Sequence, residues 1–196
     1  MAIKNTLYEA LINRGKIQSS TEIVALAKEY KEKFKVKLPK DLLKYLSRHK
    51  YIRRIFQGYY YINSFDERNR GFCNYSAKER LFYVLNKEKI KWYLGLNTAL
   101  YEQGKTWQTP VLINIINTKL SGIKNMEGIK VKFIKTKESL IFGIKELKTK
   151  NKITYFYSDP AKTYIDKVYF KQSEHLTRLK NTQTYLRRYP KWVGKR

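Results

Sequence analysis

Residues Lys37 to Ile62 read KLPKDLLKYLSRHKYIRRIFQGYYYI, and this stretch decides the fold. Pro39 suits the first position of a helix, where its missing N–H is not needed. At about 100° per residue, Leu43, Leu46 and Lys50 lie on one side, within roughly a quarter turn of Leu42. Lys44, Arg48 and Asp41 fall opposite, with Lys40 beside them. The apolar side must pack on neighbouring helices, so the cationic side faces outward. Residues 52–55 and 59–62 then form two strands around a Gln57-Gly58 turn. A helix with one cationic face, running into a basic hairpin, is the sequence shape of a winged helix-turn-helix: a recognition helix followed by its wing.

Two helices precede it. Thr6 to Glu9 has capping-box spacing and opens a helix with Leu7, Ala10 and Leu11 inward and Gly15 as its C-cap. Ser19 to Glu22 repeats the capping box, and the helix it opens turns Ile23, Leu26 or Ala27, and Tyr30 inward. Residues 31–38 make a long connection, in which Phe34, Val36 and Leu38 alternate as a short extended segment would. Residues 64–71 (SFDERNRG) are polar and punctuated, the best linker in the chain. The expected domains are therefore 1–65, a winged helix-turn-helix, and 72–196, a mixed α/β unit.

In the second unit, Ser76 to Glu79 is a third capping box, opening a helix with Leu81, Phe82, Val84 and Leu85 apolar. Residues 92–103 read as a second helix ended by Gly104. Residues 111–116 are a continuous apolar run, as in a buried strand. Ile129, Val131 and Phe133 alternate with lysines; residues 140–144 and 153–157 supply two more strands. Asp159-Pro160 starts a helix through Phe170. A last helix over residues 174–189 aligns Leu176, Leu179 and Leu186, with Lys180, Arg188 and Arg178 off that stripe. The fold class is α+β, with a terminal basic helix.

The chain carries 42 Lys+Arg against 16 Asp+Glu in 196 residues, a net charge of +26. The excess is spread throughout: +9 over residues 1–75, +10 over 76–170 and +7 over the last 26 residues. Lys, Ile, Asn and Tyr abundance is what an AT-rich genome produces, but Glu should then rise with Lys, and it does not. A polyanion is the partner this charge implies. Cys73 is the one cysteine, and only His49 and His175 accompany it, so neither a disulfide nor a metal centre is expected. No cofactor is expected either. No apolar run reaches the roughly 20 residues of a membrane span, and no signal-type apolar segment follows Met1, so the expected location is the cytoplasm.

Arg48 is best suited to bidentate recognition of guanine in the major groove; Lys44 and Lys40 read bases or neutralise phosphates. Asp41 either accepts from a cytosine amine or caps the helix. On the wing, Arg53, Arg54 and Gln57 follow phosphates or a minor groove. Ser19, Ser20 and Thr21 sit at a helix N-terminus, a common phosphate-binding position. At the other end, Arg178, Lys180, Arg187, Arg188 and Lys191 form a basic C-terminal surface. Tyr59, Tyr60 and Tyr61 cannot all stack on unpaired bases, because Tyr60 points opposite to its neighbours. Enzyme signatures are largely absent: there is no P-loop and no paired histidines, and the nuclease-type Glu-x-Lys of Glu146-Leu147-Lys148 is a tripeptide commonplace in a Lys-rich chain. No catalytic residue is nominated.

Three motifs add a resemblance that covers nearly the whole length: Arg54-Ile55-Phe56-Gln57-Gly58-Tyr59-Tyr60 on the wing, Tyr93 to Gly104 (YLGLNTALYEQG), and Ser158 to Asp166 (SDPAKTYID). In order and motif the chain resembles the AbiEi-type antitoxins, the transcriptional regulators of type IV abortive-infection toxin–antitoxin systems. It departs from them at Ala161, where an acidic residue is frequent, and at Thr98, where a small Ser is. The resemblance implies a repressor that binds inverted repeats in its own promoter. It also implies a C-terminal domain that counters a nucleotidyltransferase-like toxin without a stable complex.

The expectation is a DNA-binding antitoxin and autorepressor, a monomer or weak dimer that binds paired operator sites cooperatively and bends them. The rivals are an RNA-binding module that shields the toxin's RNA substrate, and a direct protein inhibitor of the toxin.

Overall fold

The computed structural model describes residues 2–35, 40–173, 177 and 179–195, with side chains from Leu7 onward. The chain is α+β and divides into two compact units, Met1–Val84 and Leu85–Arg196. That division falls within a helix, Ala77–Lys87, rather than at residues 66–71.

In the first unit, α1 (Ala2–Arg14) is already helical four residues before the Thr6 capping box, which therefore starts nothing. A short strand, β1 (Ile17–Ser19), follows; it was not expected, because three residues are too few to show a period. Ser19 then closes the expected capping box: its hydroxyl accepts the Glu22 N–H while the Glu22 carboxylate accepts the Ser19 N–H at 2.6 Å. The helix it opens, α2 (Ser20–Phe34), buries Ile23 and both Leu26 and Ala27. It runs through residues expected to be a connection and ends at Lys35, in the left-handed conformation. Val36, Leu38 and Pro39 lie outside the described residues. The next helix, α3 (Leu42–Arg48), leads into strands β2 (Ile52–Arg54) and β3 (Tyr59–Ile62). Lys50, placed on the apolar side from the sequence, is exposed with φ 57°, because the helix has already ended.

The hairpin turns where expected. Gln57 and Gly58 have φ 47° and 78°, and Tyr59 N–H donates to Phe56 O at 2.9 Å. Positive φ at both central positions is the tight-turn geometry that matches strand twist. β3 pairs antiparallel with β2 and with β1, giving the order β1-β3-β2. Leu7, Tyr8 and Leu11 of α1, Ile23 and Leu26 of α2, and Leu46 of α3 pack with Ile52 and Ile62 from one face of that sheet.

Residues 64–71 are not a linker. Ser64 and Glu67 form another capping box, opening α4 (Phe65–Arg70). Glu67 is 2 % exposed and accepts from Lys16 Nζ, Ser64 N–H and Asn74 N–H, each at 2.7 Å, and from the Tyr61 hydroxyl. Burial pushes its carboxyl up, but the Lys16 ammonium and these hydrogen bonds outweigh it and hold the pKa at about 2. α5 (Ala77–Lys87) follows the expected Ser76–Glu79 capping box, with Leu81, Phe82, Val84 and Leu85 buried.

The second unit is built on a six-stranded mixed sheet. Its strands are β4 (Trp92–Leu94), β5 (Leu112–Asn117), β6 (Gly122–Met126), β7 (Ile129–Lys135), β8 (Ile144–Lys148) and β9 (Thr154–Ser158), in the order β6-β7-β5-β4-β9-β8. Residues 92–94, expected to begin a helix, are the buried strand β4, and the helix α6 (Leu96–Glu102) starts only after Gly95. Residues 140–143 are not a strand but the end of a 3₁₀ turn and the approach to β8, which takes in only Ile144 of the expected segment.

Asp159 caps α7 (Pro160–Tyr169) by accepting the Lys162 N–H at 2.8 Å, and Pro160 occupies its first turn as expected. The long terminal helix is contradicted. Asn181 is left-handed at φ 74°, and among the described residues of 174–189 only α8 (Thr182–Leu186) is α-helical, followed by a 3₁₀ turn over Lys191–Lys195. Glu174, His175, Leu176 and Arg178 lie outside the described residues. Tyr189 and Val193 bury with Leu140, Ile165 and Val168, which anchors this segment on α7.

Candidate nucleic-acid interface

Along α3, Leu46 is buried and Leu42 and Leu43 are half-buried, so the stripe opposite them is free. Lys40, Asp41, Lys44 and Arg48 are all exposed. Lys44 and Arg48 stand four residues apart, neighbours on one helical stripe. Asp41 occupies the N-cap position, but its side chain makes no capping hydrogen bond.

Beside this stripe lies a groove of about 910 Å³. Val24, Ala27, Leu42, Leu43 and Tyr60 form its apolar lining, and Lys28, Lys31, Lys40, Lys44 and Arg54 supply its charge. Lys28 and Lys31, three residues apart on α2, were missed from the sequence; their place four and seven residues on from Val24, on one side of the helix, was the available signal. Five cations within one groove, with Asp41 the one acid in its lining, make it strongly attractive to an anionic backbone.

The expected wing residues divide. Arg54 pairs with Tyr60, and Gln18 with Tyr60 in turn; this row shares a face with Ile52 and Ile62 and so looks toward the helices. Arg53 pairs with Tyr61, on the opposite face, where Tyr61 meets Glu67. Arg54 therefore joins the groove of α2 and α3, and Arg53 does not. Tyr61 is fully buried and Tyr59 is 7 % exposed, so neither offers a stacking surface.

The hairpin turn and the start of α2 come together. Ser20 N–H donates to Gly58 O at 2.7 Å, and Ser19 Oγ and Thr21 Oγ1 lie 2.8 Å apart. This places Ser19, Ser20 and Thr21 next to Gln57, which is exposed.

The C-terminal basic residues are not one surface on one helix. Lys180 precedes α8 and lines a hollow with Lys105 and Lys145. Arg187, Arg188 and Lys191 follow α8 and are exposed, although the Arg188 guanidinium lies 4.6 Å over the Phe142 ring.

Beneath them sits a buried polar cluster that the sequence did not suggest. Lys162, 0 % exposed, donates to Asp166 Oδ1 at 2.7 Å, to the Tyr93 hydroxyl at 2.9 Å and to the Tyr189 hydroxyl. Tyr93 and Tyr189 donate in turn to Asp166, at 2.8 and 2.6 Å. Burial lowers the Lys162 pKa against the pull of Asp166 and raises those of Tyr93 and Tyr189. Every strong hydrogen-bonding atom of the cluster is engaged internally, so it holds the C-terminal segment to α7 and β4.

Glu146 lies on the edge strand β8 and is exposed. Among the described residues, no three of His, Cys, Asp or Glu gather as a metal site would need. Among the same residues, no helix is long and apolar enough to cross a membrane. No protein-family model matches this chain, and no curated protein matches it in sequence.

Proposed function

We propose that this protein is a DNA-binding antitoxin and autorepressor of a type IV toxin–antitoxin operon, its first unit acting as a winged helix. One observation carries the DNA-binding part: Lys44 and Arg48 stand on the exposed stripe of α3, beside a groove carrying Lys28, Lys31, Lys40 and Arg54. Three helices packed on a three-stranded sheet, with the hairpin directly after the third, support that reading.

In this mechanism α3 enters the major groove, where base edges differ. Arg48 reads guanine, and Lys44 reads a base or a phosphate. The groove cations neutralise the flanking backbone, and the Ser19–Thr21 hydroxyls with Gln57 at the hairpin tip follow the next phosphates. Lys180, Arg187, Arg188 and Lys191 add sequence-independent contacts, so the protein engages paired sites and bends the DNA between them. The toxin-countering role of the second unit rests on the AbiEi resemblance of its YLGLNTALYEQG and SDPAKTYID motifs.

Fluorescence anisotropy tests the reading, using duplex from upstream of the gene, a shuffled duplex and a matched RNA across a salt series. Selective binding to the upstream duplex supports it. Equal binding to all three that vanishes with salt reduces the first unit to bulk charge and favours the RNA-shielding or toxin-contact alternatives. Circular-permutation gel shifts that show unbent DNA would remove the bending.

A further inference from the structure

Trp107 is 93 % exposed, in the bend between α6 and β5. The other two tryptophans are placed: Trp92 is buried, and Trp192 stacks on Tyr169 at 6.1 Å. Trp107 has no ring or hydrogen-bond partner among the described residues. An indole left in water forfeits a large burial gain, and such residues concentrate at recognition surfaces.

Its chain neighbours Thr106 and Gln108 line a cavity of about 440 Å³. Four residues with side-chain amides, Asn97, Gln108, Asn114 and Gln172, line that cavity together with one cationic residue, Lys132. The sheet register fixes two of these: β5 and β7 run parallel with Asn114 opposite Lys132. Asn114 is 6 % exposed, and its backbone N–H donates to Thr98 Oγ1 at 2.9 Å, which holds it in place. Its Nδ2 donates to Leu112 O, so its Oδ1 is the atom it has to offer. Lys105, two residues before Trp107, is exposed.

We infer that this is a binding site for an unpaired nucleotide of a single-stranded nucleic acid, with a base stacked on Trp107. The indole supplies the ring surface that every base accepts. Carboxamides match the mixed donor and acceptor edge of a base, since each offers both functions at adjacent atoms. Lys132 and Lys105 supply charge for the flanking phosphates. The lining is mixed, with Leu100, Pro110, Val111 and Leu112 beside the amides and hydroxyls, and its one charged residue, Lys132, with Lys105 nearby, favours an anionic strand over an apolar protein surface. The site lies wholly within the second unit and does not depend on duplex binding by the first.

The test titrates the full-length protein with short oligo(A), oligo(dA) and adenosine monophosphate, following tryptophan quenching and anisotropy at matched ionic strength. Both strands quench the exposed indole. Trp107→Ala abolishes that quench and weakens strand binding by about tenfold or more, near the low end for one base–aromatic stack. Duplex affinity stays unchanged. Trp107→Phe retains most of the strand affinity, and Lys132→Gln lowers the salt slope for strands by about one. A preference between oligo(A) and oligo(dA) identifies the source of the strand. The inference is overturned if Trp107→Ala binds strands as the parent does, or loses duplex and strands alike. It is also overturned if the mononucleotide binds as tightly as the strands.

Discussion

Lys162 Nζ lies 2.7 Å from Asp166 Oδ1, one helical turn away on α7, and both side chains are shut off from solvent. Removing one member of such a pair strands the other, a loss of about 3–5 kcal/mol. The two losses should be unequal here. Asp166→Ala leaves a buried ammonium with only phenol oxygens to solvate it. Lys162→Met leaves a carboxylate still receiving the Tyr93 and Tyr189 hydroxyls. Urea unfolding should therefore show Asp166→Ala as the more damaging change, and the reverse order would contradict this account of the cluster.

The acid limb of stability should depend on Glu67. Its carboxyl is held at about 2, against an ordinary 4.5. A depressed carboxyl contributes stability that is complete above the unfolded value and is lost as pH falls from 4.5 toward about 2. The contribution is about 3 kcal/mol across that window. Glu67→Gln should lower stability at neutral pH and flatten the dependence between those values, measured by denaturant midpoints across the acid range.

Alkali should act through the phenols. Burial raises Tyr8 and Tyr155 to about 12, and Tyr61, Tyr93 and Tyr189 are raised as well. A raised phenol contributes stability present below the ordinary value of 10 and lost as pH climbs through the folded value. Lys162 and Arg80, lowered by burial, work the other way, as two groups against six raised phenols once Tyr185 is counted. Stability should fall from pH 10 upward, with phenolate absorbance of these tyrosines appearing together with loss of circular dichroism. Phenolate appearing well before unfolding would argue that they are solvated.

Gly95 is required for space and not for backbone freedom, since its φ is −120°. A Cβ there would stand 2.3 Å from Ile116 Cδ1, a fully buried atom of the central strand. Gly95→Ala should cost about 1–3 kcal/mol by overpacking. Ile116→Val removes the obstructing methyl, so the double variant should be more stable than the sum of its parts predicts. Simple additivity in thermal unfolding would mean that the clash relaxes elsewhere.

Arg53 and Arg54 provide an internal control for the interface, being adjacent in sequence and opposed in space. Arg54→Gln should weaken operator binding several-fold and reduce its salt slope by about one, as for one lost phosphate contact. Arg53→Gln should change the affinity little. Equal effects would show that the groove beside α3 is not where DNA lies.

Much of this was legible because it rests on local chemistry. Ser19 with Glu22, Ser76 with Glu79 and Gln57-Gly58 each satisfy or bend their own backbone, and each stands where its residues placed it. Ser64 with Glu67 carries the same signal, but no apolar stripe follows it in α4 to mark a helix. What stayed hidden was decided at a distance. Trp92–Leu94 became a strand because β5 and β9 flank it, and its apolar run has no period of its own. The terminal helix breaks where Asn181 turns left-handed, and the leucine spacing across that break gives no warning. The face taken by Arg54 follows from the strand register, while the Lys162 cluster joins residues up to 96 positions apart, from Tyr93 to Tyr189.

The central claim is that the exposed stripe of α3 reads DNA. It is tested most directly by comparing the parent with a Lys44→Gln/Arg48→Gln double variant on the upstream and shuffled duplexes. The account predicts that the double variant loses the preference for the upstream sequence and keeps a residual, salt-sensitive affinity for both. A double variant that still selects the upstream duplex as the parent does would contradict it.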